Sequence, residues 1–311
     1  MTKVMGCGVR ATHAFASRDF RHGRRARWHP RCTVFALVDS WNSPTHADDA
    51  VPLASFAPAP ISLNVSRYEA LLRRNRLVAA LGPEVLREMA RAATLKRFHK
   101  GEAIWHAGAP ATHFQVVVSG LVKLVAPNPG MRQTIIDVFG PCEAVGYWVA
   151  IDGSPYIGDA MPVTPRVDTL LVPAAVLTHA MKTRPDAALA ITNGLLAHTR
   201  TLRAKIAVMC AGSVEHRLAM LLLDLQARFG DEAADGTVVV PVPLSRGDLA
   251  LCVGATVETV IRMMSRWQKR GVLETHAHGF VLRDVVTLER LVEGFRTTAV
   301  YDGQARACCT S

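Results

Sequence analysis

Between Pro243 and Gly271 the chain sets side chains at intervals suited to reading the edges of nucleobases. Glu258 and Arg262 are four residues apart, one turn of a helix, and so share a face. The arginine fork matches guanine O6 and N7, a pairing worth about 1–3 kcal/mol of discrimination, and a glutamate can accept from the cytosine amino group. Val257 and Ile261 accompany them. Ile261 could pack on a thymine methyl, and it reads equally well as spill-over from a buried stripe. Ser245, Arg246, Thr256, Ser265, Arg266, Lys269 and Arg270 are the candidates for phosphate contact, which fixes position without specifying sequence.

These residues need two helices and a tight turn. Ser245 can cap a first helix, with Asp248 three residues on completing a variant of the capping box. The apolar run Leu249 to Val253 stops at Gly254, which allows a left-handed turn, and Thr256 caps a second helix. There Val260, Met263, Met264 and Trp267 recur at the spacing of a core-facing stripe, leaving Val257, Glu258, Ile261, Arg262 and Ser265 on the other side. Helical pairs of this kind also occur in proteins that never touch DNA. The sequence from Gly271 to Arg283 tips the balance, because it reads as two short strands around a turn, the wing of a winged helix.

Bulk composition does less. The 311 residues carry a net charge of +10, yet the excess is not where the two helices are. Residues 1 to 65 hold 8 Lys+Arg and 4 Asp+Glu, residues 66 to 209 hold 17 and 10, and residues 210 to 311 hold 11 and 12. The case for nucleic acid therefore rests on the local pattern and not on the isoelectric point. Seven cysteines, at 7, 32, 142, 210, 252, 308 and 309, show no regular spacing, which excludes a disulfide framework and gives no metal site. Cys252 reads as core, and Cys308 and Cys309 as incidental thiols. No apolar run is long enough to span a bilayer and the start lacks a secretory h-region, so no membrane partner is expected and the compartment expected is the bacterial cytoplasm. Gly-x-Ser-x-Gly, His-Glu-x-x-His and Walker patterns are all missing. His99, His106 and His113 are too far apart for a cupin, whose paired histidines lie one residue apart, so catalysis is not expected.

Four segments follow along the chain. Residues 1–65 are Arg-rich with Pro, Ala and Ser and show no period; they are expected to be a disordered extension, or sequence ahead of a true start near Val65. Residues 66–184 begin helically and then turn to short strands punctuated by Gly101, Gly108 and Gly120, a β-roll rhythm, ending in a short helix from Ala174 to Thr183. Residues 185–211 form a long helix from Pro185. Its positions Ile191, Leu195, Leu202, Ile206 and Met209 approximate a heptad seam for a homodimer, with packing on its own roll as the other reading. Residues 212–311 hold the two helices and wing. The fold class expected is α+β: an N-terminal jelly-roll-like β-roll, a long central dimerisation helix and a C-terminal winged helix-turn-helix.

From about Leu77 to Leu291 these features resemble the Crp/Fnr superfamily of bacterial transcription regulators, and Thr256-Val-Glu-Thr-Val-Ile-Arg262 is similar to the reading helix of its Fnr branch. That resemblance implies a homodimer on palindromic double-stranded DNA, the use of Glu258 and Arg262 on bases, and RNA polymerase as a further partner. The Fnr branch usually carries a serine where Ile261 stands, which alters the expected half-site. Fnr itself holds an iron–sulfur cluster on clustered amino-terminal cysteines, and Cys7 and Cys32 lie too far apart for one.

The resemblance also implies a ligand pocket in the roll. Cyclic-AMP-binding members use a Gly-Glu-Leu segment and an Arg-Ser or Arg-Thr pair; the corresponding stretches here are Gly146-Tyr147-Trp148 and Tyr156 to Ala160, with no arginine for a phosphate and with Asp159 to repel one. The nucleotide-facing Thr-Ser pair of the family falls on Leu202 and Arg203. Cyclic AMP is therefore not expected, and Tyr147, Trp148, Tyr156, Leu202 and Arg203 mark either an altered, more apolar pocket or ordinary core. Haem, which some relatives use, would have to find its ligands among His99, His106, His113 and His198; no cofactor is the main expectation. The alternative function is a signalling module of the same fold that depends on a cyclic nucleotide or haem.

Overall fold

The computed structural model describes residues 61–128, 131–210, 212–233 and 235–293; the extension up to residue 60 and Cys308 and Cys309 lie outside them. Three short helices come first, α1 (Ile61–Arg73), α2 (Arg76–Ala80) and α3 (Pro83–Ala92). The first begins five residues ahead of the expected boundary at 66. Asn75 caps α2 by accepting from the Val78 amide, and its own amide donates to Cys142 O at 2.7 Å, which ties these helices to the roll.

The roll comprises β1 (Thr94–His99), β2 (His113–Ser119), β3 (Val122–Asn128), β4 (Met131–Phe139), β5 (Ala144–Val145), α4 (Tyr147–Asp152), β6 (Asp159–Pro162) and β7 (Arg166–Pro173). One antiparallel sheet runs β1-β7-β2-β5 and the other β4-β3-β6. Its interior is closed by Phe114, Val116, Leu124, Val145, Val167, Leu170 and Val172, all at most 2% exposed. The short helix α5 (Ala174–Thr183) and the long α6 (Pro185–Cys210) follow, the latter opening on Pro185 as its first-turn position allows.

The C-terminal unit holds α7 (Val214–Phe229), β8 (Asp231–Glu232), β9 (Val238–Val240), α8 (Arg246–Val253), α9 (Val257–Lys269), β10 (Leu273–His276), β11 (Gly279–Leu282) and α10 (Val285–Val292), with a sheet ordered β10-β11-β9-β8. Its apolar core is not self-contained. Leu121, Val125, Ile135, Val138 and Val163 of the roll belong to the same buried cluster as Leu218, Leu222, Leu225, Leu249, Val253 and Trp267.

Candidate nucleic-acid interface

The two-helix geometry begins with a reciprocal cap. Ser245 Oγ accepts from the Asp248 amide at 3.0 Å, and Asp248 Oδ2 accepts from the Ser245 amide at 3.0 Å. Gly254 ends α8 at φ 59° and ψ 51°, the left-handed region where a side chain would be strained. Thr256 Oγ1 then accepts from the Thr259 amide and starts α9.

Val260, Met264 and Trp267 are fully buried and Met263 is half-buried, so the apolar stripe lies against the core. Trp267 Nε1 donates to Glu215 of α7 at 3.2 Å, which locks the roll angle of α9 about its own axis. The opposite face carries Val257, Glu258, Ile261, Arg262 and Ser265, all exposed. Ile261 is 47% exposed and thus outside the core stripe. Ser245, Thr256, Arg266, Lys269 and Arg270 are exposed as well.

Arg246 is placed differently from the other candidate phosphate contacts. It is half-buried, and its guanidinium donates to Thr275 Oγ1 of β10 at 2.7 Å. It joins the start of α8 to the wing. The wing is stiffened by Arg283, which donates to both Glu274 oxygens at 2.6 and 3.1 Å. Gly279 opens β11 because an added Cβ would run into the Val240 carbonyl and the Val242 amide of the neighbouring segment.

The long helix divides the expected seam along its length. Ile191 is fully buried in the roll's core and Leu195 packs against it, while Leu202 (37% exposed), Ile206 (63%) and the half-buried Met209 lie further along. The exposed large apolar residues of the helix are Leu189, Leu196, Leu202 and Ile206. With about 3.6 residues per turn the five expected positions share one face of α6, and what separates them is their place along the helix: Ile191 and Leu195 lie against the roll, and Leu202 and Ile206 further on are exposed.

Between β3–β4, α4 and α6 lies a cavity of about 210 Å³ lined by Leu124, Ile136, Asp137, Phe139, Trp148, Ile157, Leu195, His198, Thr199 and Leu202. Trp148 stacks on His198 with centroids 4.1 Å apart, and desolvation holds the imidazole below its ordinary pKa. Of the five residues expected at a pocket, Trp148 and Leu202 line it. Tyr147 and Tyr156 are core aromatics: Tyr147 donates to Gly194 O at 3.2 Å with burial pushing its hydroxyl up to about 12, and Tyr156 stacks on Trp105 at 4.3 Å. Arg203 is exposed on α6 and is not part of the lining. Nor is Asp159, which accepts from the Ala107 amide and sits 3.4 Å from His106; the acid at the cavity is Asp137, which the sequence reading missed.

Comparison with known proteins gives two family matches. Residues 216–291 match the Crp-like helix-turn-helix domain and residues 95–184 the cyclic nucleotide-binding domain. The chain is 23% identical over 220 residues to a CRP-like cAMP-activated global transcriptional regulator of Mycobacterium tuberculosis, covering 71% of this chain and 97% of the relative. It is 26% identical over 220 residues to the nitrogen fixation regulation protein FixK of Azorhizobium caulinodans, covering 70% and 83%. In fold it is similar to FixK2 from Bradyrhizobium japonicum, with a TM-score of 0.56 at 24% identity, over 64% of this chain and 96% of that one.

Proposed function

Given that this chain belongs to the Crp/Fnr family of DNA-binding transcription regulators, a family not of enzymes, we propose that it works as a homodimer whose two α9 helices read a palindrome. The observation that carries this reading is the exposed row Glu258, Ile261 and Arg262 opposite a fully buried stripe. Arg262 takes a guanine, Glu258 a cytosine amino group and Ile261 a thymine methyl. Ser245, Thr256, Ser265, Arg266, Lys269 and Arg270 hold phosphates, and Arg246 acts through the wing. The exposed apolar residues Leu189, Leu196, Leu202 and Ile206 support pairing of α6 with a second copy, which would bring two reading helices to about 34–36 Å, one turn of DNA.

The roll is the sensing part, and its cavity supports a small, flat, largely apolar effector. The Mycobacterium relative is cAMP-activated by name. Cyclic AMP does not suit this cavity, because the charged side chain in its lining is the carboxylate of Asp137 and no arginine stands there to take a phosphate. No haem is read here either: His113 bonds with Thr112 and His198 is stacked on Trp148. Effector binding would shift an existing equilibrium between helix packings. RNA polymerase is the expected partner at promoters and the cytoplasm the expected compartment; among the described residues no helix is long and apolar enough to cross a membrane.

The test is fluorescence anisotropy on an Fnr-like palindrome, TTGAT-N4-ATCAA, and a scrambled duplex at fixed salt, since phosphate contacts alone can mimic affinity. Selective binding is expected. If both duplexes bind equally, and an unbiased selection recovers no common sequence, the sequence-reading role is wrong.

A further inference from the structure

The roll and the C-terminal unit meet through charges as well as through their shared core. Asp137 of β4, its side chain 11% exposed, lies 2.6 Å from Lys205 of α6 and 2.9 Å from Arg228 of α7. Arg228, 16% exposed, also reaches Glu143 at 3.0 Å and donates to Val138 O at 2.5 Å, and Lys205 donates to Ile136 O at 2.6 Å. One carboxylate thus fastens a roll strand, the long helix and the first helix of the reading unit. A second tie lies beside it on the paired strand: Lys123 of β3, whose register partner is Val138, contacts Asp248 at 2.6 Å, and Asp248 completes the capping box of α8.

An apolar contact is non-directional and tolerates sliding, whereas hydrogen-bonded ion pairs hold in one geometry. Enclosed pairs contribute little net stability because desolvation opposes their attraction, so their use is in fixing one arrangement among several. The exposed face of α9 is clear of both ties. We propose that Asp137 and Lys123 are positioning residues for DNA reading: they fix the angle of the C-terminal unit on the roll and so set the separation of the two reading helices. This rests on the dimeric reading above. Asp137 also lines the cavity, so an effector there would meet the same carboxylate that holds α7.

Two half-sites read by rigidly placed units bind at high effective concentration, and units free to swing lose that gain. The experiment selects duplexes from a random library with the wild-type chain, Lys123→Ala and Asp137→Asn, then measures binding to single half-sites. The wild-type pool is expected to show one spacer length. Both variants should keep the half-site but spread across spacers, with affinity for the best palindrome down about tenfold, or about 1.4 kcal/mol, and half-site affinity unchanged. Lys123→Arg, which keeps the charge, should restore the single spacer. Unchanged spacer preference in both variants would overturn the proposal. If the wild-type chain enriches no half-site, it is the sequence-reading role that fails, and small-angle X-ray scattering then decides this one: a larger radius of gyration in Lys123→Ala supports it and an unchanged one overturns it. Lys123 lies at the rim of the contact, 23% exposed, so that variant is readable even if Asp137→Asn does not fold.

Discussion

Replacing Arg262 by alanine separates base reading from everything else α9 does. The side chain is exposed and, among the described residues, makes no ion pair or hydrogen bond within the chain. Its loss should therefore change folding stability by no more than about 0.5 kcal/mol, the range for surface positions away from special features. Binding is another matter. One bidentate arginine–guanine pair supplies about 1–3 kcal/mol of discrimination, and a dimer on a palindrome makes two, so about 2–6 kcal/mol is at stake. The lower bound corresponds to roughly thirtyfold in Kd. Anisotropy at fixed salt on the palindrome, on duplexes with each base pair changed in turn, and on a scrambled duplex would show the loss on every duplex that keeps the guanine but not on the scrambled one, and would flatten discrimination at one base pair per half-site. A parallel loss on the palindrome and the scrambled duplex would mean that Arg262 contacts phosphate, and the assignment of base reading to it would be wrong.

Lys269→Gln should do the opposite, weakening all duplexes alike and reducing the dependence of log K on log salt by about 0.9 per phosphate released, so by roughly 2 for the dimer; an unchanged slope would remove Lys269 from the phosphate set. Trp267→Ala removes a fully buried indole and its bond to Glu215, and chemical denaturation should show a loss of about 3–5 kcal/mol, with an effect below 1 contradicting the packing described. Gly254→Ala places a Cβ in the left-handed region, at a cost of about 1–2 kcal/mol in the same assay. Asp137 gives a pH dependence. Burial alone would raise its carboxyl, but Arg228 and Lys205 outweigh that and hold it at about 2 against an ordinary 3.8. Because the folded value is depressed, the ionised carboxyl stabilises the fold by roughly 2 kcal/mol over its protonated form, a difference present above about pH 4 and lost as pH falls towards 2, with about half gone by pH 3. The stability gap between wild type and Asp137→Asn should narrow over that range, and a gap that does not change with pH would refute the pairing.

Local chemistry was what the sequence made legible. Ser245 with Asp248, Gly254 and Thr256 each act through neighbours within three residues, and they place both helices and the turn where the structure has them. The helix Ala174–Thr183 and the long helix from Pro185 were equally plain. What escaped lies between segments distant in sequence. Asp137, Lys205 and Arg228 meet across 91 residues, and no periodicity marks them. Arg246 looked like any exposed arginine of a reading unit until Thr275, 29 residues on, took its guanidinium. The direction of the α6 faces needed the roll to be in place, because Ile191 and Leu196 are equally apolar and only contact distinguishes buried from outward. The helix α7 went unread, although Ser213 and the spacing of Leu218, Leu222 and Leu225 signal it.

The common core of roll and C-terminal unit bears on how such a regulator could be rebuilt. Grafting residues from Val214 onward onto a different sensor would strip Leu218, Leu222, Leu225 and Leu249 of neighbours such as Leu121, Val125, Ile135, Val138 and Val163, and would leave Arg228 without its carboxylates. The transplanted piece would carry a wet, sticky flank into its new host. A working chimaera would have to cross over inside the roll, taking β3 and β4 along with the helices they support, so the unit of exchange is larger than the unit that touches DNA.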